Sequence, residues 1–101
     1  MHTLKEGDIL VCSWGYDQTN IDFYQVTKVV SNISVRIRQI KNRIVSREEQ
    51  QDLVEPVKGE FKGLEMLKRP DKDNWVRISS FEAARPWEGK PEYQTNSIYG
   101  H

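Results

Sequence analysis

The side chains best suited to recognition stand together in one short stretch. It reads Ser13-Trp-Gly-Tyr-Asp-Gln-Thr-Asn20 and continues as Ile21-Asp-Phe-Tyr-Gln-Val26. Trp14, Tyr16 and Tyr24 offer flat rings on which a base could stack or a peptide could lie. Asp17, Gln18, Asn20 and Asp22 supply hydrogen-bonding groups around those rings. This set is the candidate contact surface for a protein or for nucleic acid. A structural role competes with it. Asp, Asn and Thr in a long loop also satisfy the loop's own backbone groups. On that reading Trp14, Phe23 and Val26 are core residues placed by the flanking strands.

A second candidate is basic. Arg36, Arg38, Lys41, Arg43 and Arg47 fall within one segment, and Arg36 and Arg38 share a strand face. Beside the loop aromatics they could contact phosphates while the rings stack bases. Glu48, Glu49, Asp52 and Glu55 follow directly and are equally suited to neutralising them.

Other chemistry is poorly served. Asp17, Asn20 and Asp22 carry oxygen donors of the kind calcium or magnesium takes, but their spacing does not match an EF-hand loop. No metal site and no cofactor is expected. Cys12 is the single cysteine, so it forms no intramolecular disulfide and no cysteine cluster. A cysteine nucleophile normally needs a histidine. The histidines are His2 and His101, at the two ends of the chain, where order is expected to be poorest. No catalytic residue is assigned, and the reading is non-enzymatic.

The elements that position these residues read as strands. Residues 4–8 form a turn around Gly7, and Ile9 to Trp14 is a short apolar run suited to burial on both sides. Residues 21–30 form a long strand whose alternation is imperfect, with Ile21, Phe23 and Val29 on one parity and Tyr24, Val26 and Val30 on the other. A β-bulge near Gln25 would reconcile its halves. Ser31 and Asn32 make a hairpin turn, and Ile33, Val35 and Ile37 alternate with Ser34, Arg36 and Arg38. Lys41 and Asn42 suggest another turn. Ser46 followed by Glu49 fits a capping box, which allows one short helical turn or a loop over residues 46–53. Pro56 should end a short extended piece. Residues 64–69 and 75–79 bracket a polar five-residue loop and read as a hairpin. Residues 81–85 read as a helical turn or a bend before Pro86. The expected fold is all-β: a small SH3-like or KOW-like barrel of five or six short strands over residues 1–86. An extended C-terminal tail over residues 87–101 carries Trp87, Tyr93 and Tyr99, which can pack back on the barrel.

Composition narrows the class. A length of 101 residues is one domain's worth, and 37% apolar against 30% charged residues implies a small core and a well-solvated surface. Fifteen basic and fifteen acidic residues cancel, which removes the usual basic excess of a general nucleic-acid binder. No apolar run approaches the roughly 20 residues of a membrane span. The N-terminus lacks an apolar leader, so a cytosolic location and no membrane partner are expected.

The motif of residues 13–26 resembles the signature of a family of small uncharacterised proteins associated with bacteriophages, prophages and plasmids. Segments like Val76-Arg-Ile-Ser-Ser80 and Trp87-Glu-Gly-Lys-Pro-Glu-Tyr-Gln-Thr95 belong to the same resemblance. It implies a mobile-element protein at work in a bacterial host cytosol and carries no mechanism. The first expectation is therefore a binding module that engages a host or phage protein through the loop between Trp14 and Asp22. The alternatives are a nucleic-acid-binding barrel using Tyr16, Tyr24, Arg36 and Arg38, and a protein that binds a nucleotide or other small molecule beneath Trp14 and Tyr24.

Overall fold

Eight strands pair antiparallel in the computed structural model, which describes residues 1–15 and 18–95. They are β1 (Ile9–Trp14), β2 (Asn20–Val29), β3 (Val35–Arg47), β4 (Gln51–Phe61), β5 (Met66–Lys68), β6 (Val76–Ser79), β7 (Glu82–Pro86) and β8 (Glu92–Thr95). The order across the sheet is β6-β7-β1-β2-β3-β4-β8, and β5 pairs with the first part of β3. The path is open, with no pairing of its ends among the described residues. The chain is all-β as expected, with eight strands instead of five or six, and no helix occurs among the described residues.

The hairpin β1–β2 is the centre, because both of its faces are buried. Leu10, Cys12, Tyr24 and Val26 point to one side. There they meet Leu4, Val35, Ile37, Val76 and Ala84, with Met66 and Ile78 at the margin. Val11, Ile21 and Phe23 point to the other side and meet Ile40, Val54, Phe61 and Trp87. Successive strand residues face opposite ways, so two cores on two faces require apolar residues at both parities. That accounts for the mixed alternation of β2. A bulge is present too, between Val26 and Lys28, slightly later than the position near Gln25. Fully burying one such Leu, Ile, Val or Phe side chain contributes about 1.5–3 kcal/mol, so Leu10, Phe23, Ile37 and Val54, each 0% exposed, dominate the balance.

The opening turn forms as read. Asp8 donates its backbone N–H to the Lys5 carbonyl, and Gly7 donates to the carbonyl of Val26. Residues 31–34 turn β2 into β3, though β3 begins at Val35 and leaves Ile33 exposed.

Four local expectations are corrected. Lys41 and Asn42 lie within the continuous strand β3 and make no turn. Residues 46–53 form no helical turn: Ser46 faces Leu53 across a hairpin closed by Glu48 N–H donating to Gln51 O. With Leu53 as its only apolar anchor, a helix there would bury almost nothing, whereas pairing lets Val54 enter the second core. Pro56 does not end β4. It lies opposite Asn42 in the β3–β4 ladder, beyond residues 51–54 of β4 that pair with β8, so the strand there is of the edge type that admits proline. Finally, β5 and β6 do not pair with each other. β5 joins β3, and β6 joins β7, the segment expected as a bend.

The C-terminal segment is an integral part of the fold as far as residue 95. Trp87 meets Phe23 edge-on at 6.0 Å between ring centroids. β8 pairs with residues 51–54 of β4. Tyr93 is half exposed, and Tyr99 lies outside the described residues.

Candidate functional site

The candidate surface lies at the open end of the β1–β2 hairpin. Trp14, the last residue of β1, faces Asn20 across the ladder and is 39% exposed, so it is a rim residue and not core. Its indole Nε1–H donates to Asp22 Oδ2 at 2.8 Å, and Gln39 Nε2 donates to Asp22 Oδ1 at 3.2 Å. Asp22 thereby ties together β1, β2 and β3 and orients the indole plane.

The loop beyond Trp14 turns on Gly15. Its φ is +129°, and a Cβ there would lie 1.9 Å from the Gln18 carbonyl oxygen. Only glycine admits that approach. Gln18 and Asn20 are half-buried beside it, while Tyr16 and Asp17 lie outside the described residues. The other side of the loop is held by β8: Thr19 N–H donates to Thr95 Oγ1 at 2.8 Å, and Thr95 N–H donates to Thr19 O at 2.9 Å. The loop is thus clamped from both sides, which is the structural role that competes with recognition.

Phe81, at the β6–β7 turn, completes the surface. It is 82% exposed and lines, with Ser13, Trp14 and Gly15, a half-open groove of about 490 Å³. Sequence reasoning missed it because a lone Phe between two serines and a glutamate has no periodicity to read. Burial first, then Glu82 and Asp22, push the Cys12 thiol up to about 11. Burial first, then Asp22, also raises the Tyr24 hydroxyl well above the ordinary tyrosine value.

The other expected contact residues are not brought to this surface. Tyr24 is 5% exposed and belongs to the first core, so its ring cannot stack a ligand. Arg36 and Arg38 lie opposite Lys28 and Gln25, toward the far end of β2 from Trp14. Both are already engaged: Arg36 Nη1 is 3.6 Å from Glu65 Oε2, and Arg38 Nε donates to Gly63 O while its guanidinium lies 5.3 Å above the Phe61 ring. Glu65 also accepts the Thr27 hydroxyl at the β2 bulge.

His2 overturns the expectation of a loose end. It is 9% exposed, accepts the Leu4 N–H at Nδ1, and sits with Nε2 2.8 Å from Ser31 O. That pattern is the tautomer protonated at Nε2. Its partners fasten the N-terminus to the β2–β3 turn, away from Cys12. Among the described residues, no three His, Cys, Asp or Glu side chains gather into a metal-sized group. No helix among them is long and apolar enough to cross a membrane.

No family model matches the chain, and neither a curated protein nor a solved structure matches it.

Proposed function

We propose that the chain is a non-enzymatic binding module whose Trp14–Phe81 groove takes a basic side chain of a protein partner. The observation that carries this reading is Phe81, 82% exposed across a groove from a Trp14 ring that Asp22 holds in place. Phe81 contributes nothing to either core and shares one groove with the half-exposed Trp14, and paired aromatic side chains of this kind are enriched at protein contacts. Two aromatic side chains across one groove suit a lysine or arginine, which gains from the ring quadrupole. Gln18 and Asn20 form the polar rim of the same contact. The proposed setting is that of the resemblance, a bacteriophage, prophage or plasmid protein in a bacterial cytosol that engages a host or phage protein. An SH3-like relationship belongs to the same proposal, supported by the way β1, β2, β3, β5, β6 and β7 share one core.

The test is capture from bacterial lysate, with the captured protein identified and re-bound in purified form. Phe81→Ala should reduce that purified affinity at least tenfold without lowering the melting temperature. Undiminished binding by Phe81→Ala would remove the groove from the interaction.

A further inference from the structure

A second site lies on the outer face of β6 and β7, formed by Trp75, Arg69, Arg77, Asp71 and Ala83 around a groove of about 300 Å³. Four arginines of this chain are matched to carboxylates: Arg36 to Glu65, Arg43 to Glu55, Arg47 to Asp52 and Arg85 to Glu92. Arg69 and Arg77 have no ion-pair partner among the described residues, although both line the same concavity. Between them Trp75 is 44% exposed. Ala83 lies directly opposite Arg77 in the ladder and leaves room beside the guanidinium. Arg77 Nη1 donates to Ser80 O at 3.3 Å, which steadies the head group and leaves its other N–H groups free to donate.

The Trp75 platform is built in advance. Asp71 N–H donates to Trp75 O, and Asp71 Oδ1 accepts the N–H groups of Asp73 and Trp75. Asn74 holds a left-handed conformation at φ +67° and accepts the Thr3 N–H while donating to the Thr3 hydroxyl. The loop is therefore pinned to the N-terminal segment, and binding need not order it. Asp71 Oδ1 is turned to two backbone amides while the carboxylate keeps its charge, so the groove sets two guanidinium charges against one anion.

We infer that this groove binds a phosphate-bearing aromatic base, with the base stacked on Trp75 and the phosphate held by Arg69 and Arg77. Stacking on an exposed indole accepts any base, and a guanidinium fork matches phosphate oxygens in pairs. The site shares no lining residue with the Trp14–Phe81 groove and does not depend on that reading.

The experiment uses the whole chain and two probes, a fluorescein-labelled dT12 single strand and AMP, at 50 and 200 mM salt. The strand should bind with an affinity that falls as salt rises, and each phosphate left without its arginine should lower the slope by about 0.7. Trp75→Ala should weaken binding roughly 5- to 150-fold, and Trp75→Phe should restore most of it. Arg77→Gln should weaken binding and flatten the salt dependence, while Arg36→Gln leaves both unchanged. AMP binding as tightly as dT12 identifies a free nucleotide as the ligand; a strong preference for dT12 identifies single-stranded nucleic acid. The inference is overturned if neither probe binds, or if Trp75→Ala and Arg77→Gln bind as the parent does while retaining its circular dichroism.

Discussion

Replacing Gly15 with alanine should unfold the chain more readily than any other single methyl added to a surface loop. The residue sits at φ +129°, where a side chain costs about 1–3 kcal/mol in backbone strain. The new Cβ would also lie 1.9 Å from the Gln18 carbonyl oxygen, roughly 1.5 Å or more inside ordinary contact. Relieving that overlap means opening the loop against the Thr19–Thr95 pair and the Trp14–Asn20 ladder position. Forced packing of this kind adds about 1–3 kcal/mol. The sum is on the order of 4 kcal/mol, a large part of the roughly 5–15 kcal/mol by which domains are stable. At about 4–8 °C per kcal/mol for this size, the midpoint should fall by roughly 15–30 °C. The assay is thermal unfolding followed by far-ultraviolet circular dichroism. Gly59→Ala is the control, since φ is +84° there but nothing lies within 4 Å of the added Cβ; it should cost only about 1–2 kcal/mol. Equal melting of the two variants would show that the approach of Gln18 to Gly15 does not constrain the loop.

Three further outcomes are expected. Trp14→Phe removes the indole donor to Asp22 and should cost about 1 kcal/mol in urea titrations, less than a buried charged hydrogen bond because the rim is solvated; an unchanged midpoint would mean that the bond does not orient the ring. Trp87→Ala strips the edge-on partner of Phe23 and should cost about 2 kcal/mol, read from the same titration, and a loss below 0.5 kcal/mol (roughly the scatter of a surface substitution) would contradict its place in the second core. Because the Cys12 thiol is raised from 9.0 to about 11 in the folded chain, its contribution is intact below pH 9 and is lost as pH rises toward 11, since only the unfolded chain ionises in that window. The loss is on the order of 2 kcal/mol, so urea midpoints at pH 8 and pH 10.5 should converge for Cys12→Ala relative to the parent; parallel declines would exclude the thiol as a source.

The centre of the fold was legible in the residues and its margins were not. Ile9 to Trp14, the long strand after it and the alternation of Val35 and Ile37 carry local patterns strong enough to fix β1, β2 and the start of β3. The second core was hidden because its members, Val11, Ile21, Phe23, Ile40, Val54 and Trp87, are spread over most of the chain with no common period. β7 was hidden more deeply. Its residues, Glu-Ala-Ala-Arg-Pro, have weak strand propensity, and only the pairing with β1 and the burial of Ala84 hold it extended. Sequence adjacency suggested that β5 and β6 form a hairpin, yet each found a partner elsewhere. At the candidate site, the composition of residues 13–22 pointed to the end of the molecule that carries the Trp14–Phe81 groove. It misassigned Tyr24, whose polar handle made a core residue look like a contact, and it had no means of finding Phe81.

The two-faced β1–β2 hairpin also sets a condition on biosynthesis. β1 and β2 are made first, but one of their faces waits for β6 and β7 and the other for Trp87. The outer edge of β1 waits equally for residues 85 and 86. A nascent chain that has reached residue 75 therefore presents two incompletely covered apolar faces and an unpaired strand edge at once, which is a template for joining other chains. Ribosome-bound chains stalled at residue 75 should be captured by chaperones, and chains stalled far enough on to release Thr95 should not. For this fold, the strands that leave the ribosome late are the ones that keep the first hairpin from aggregating.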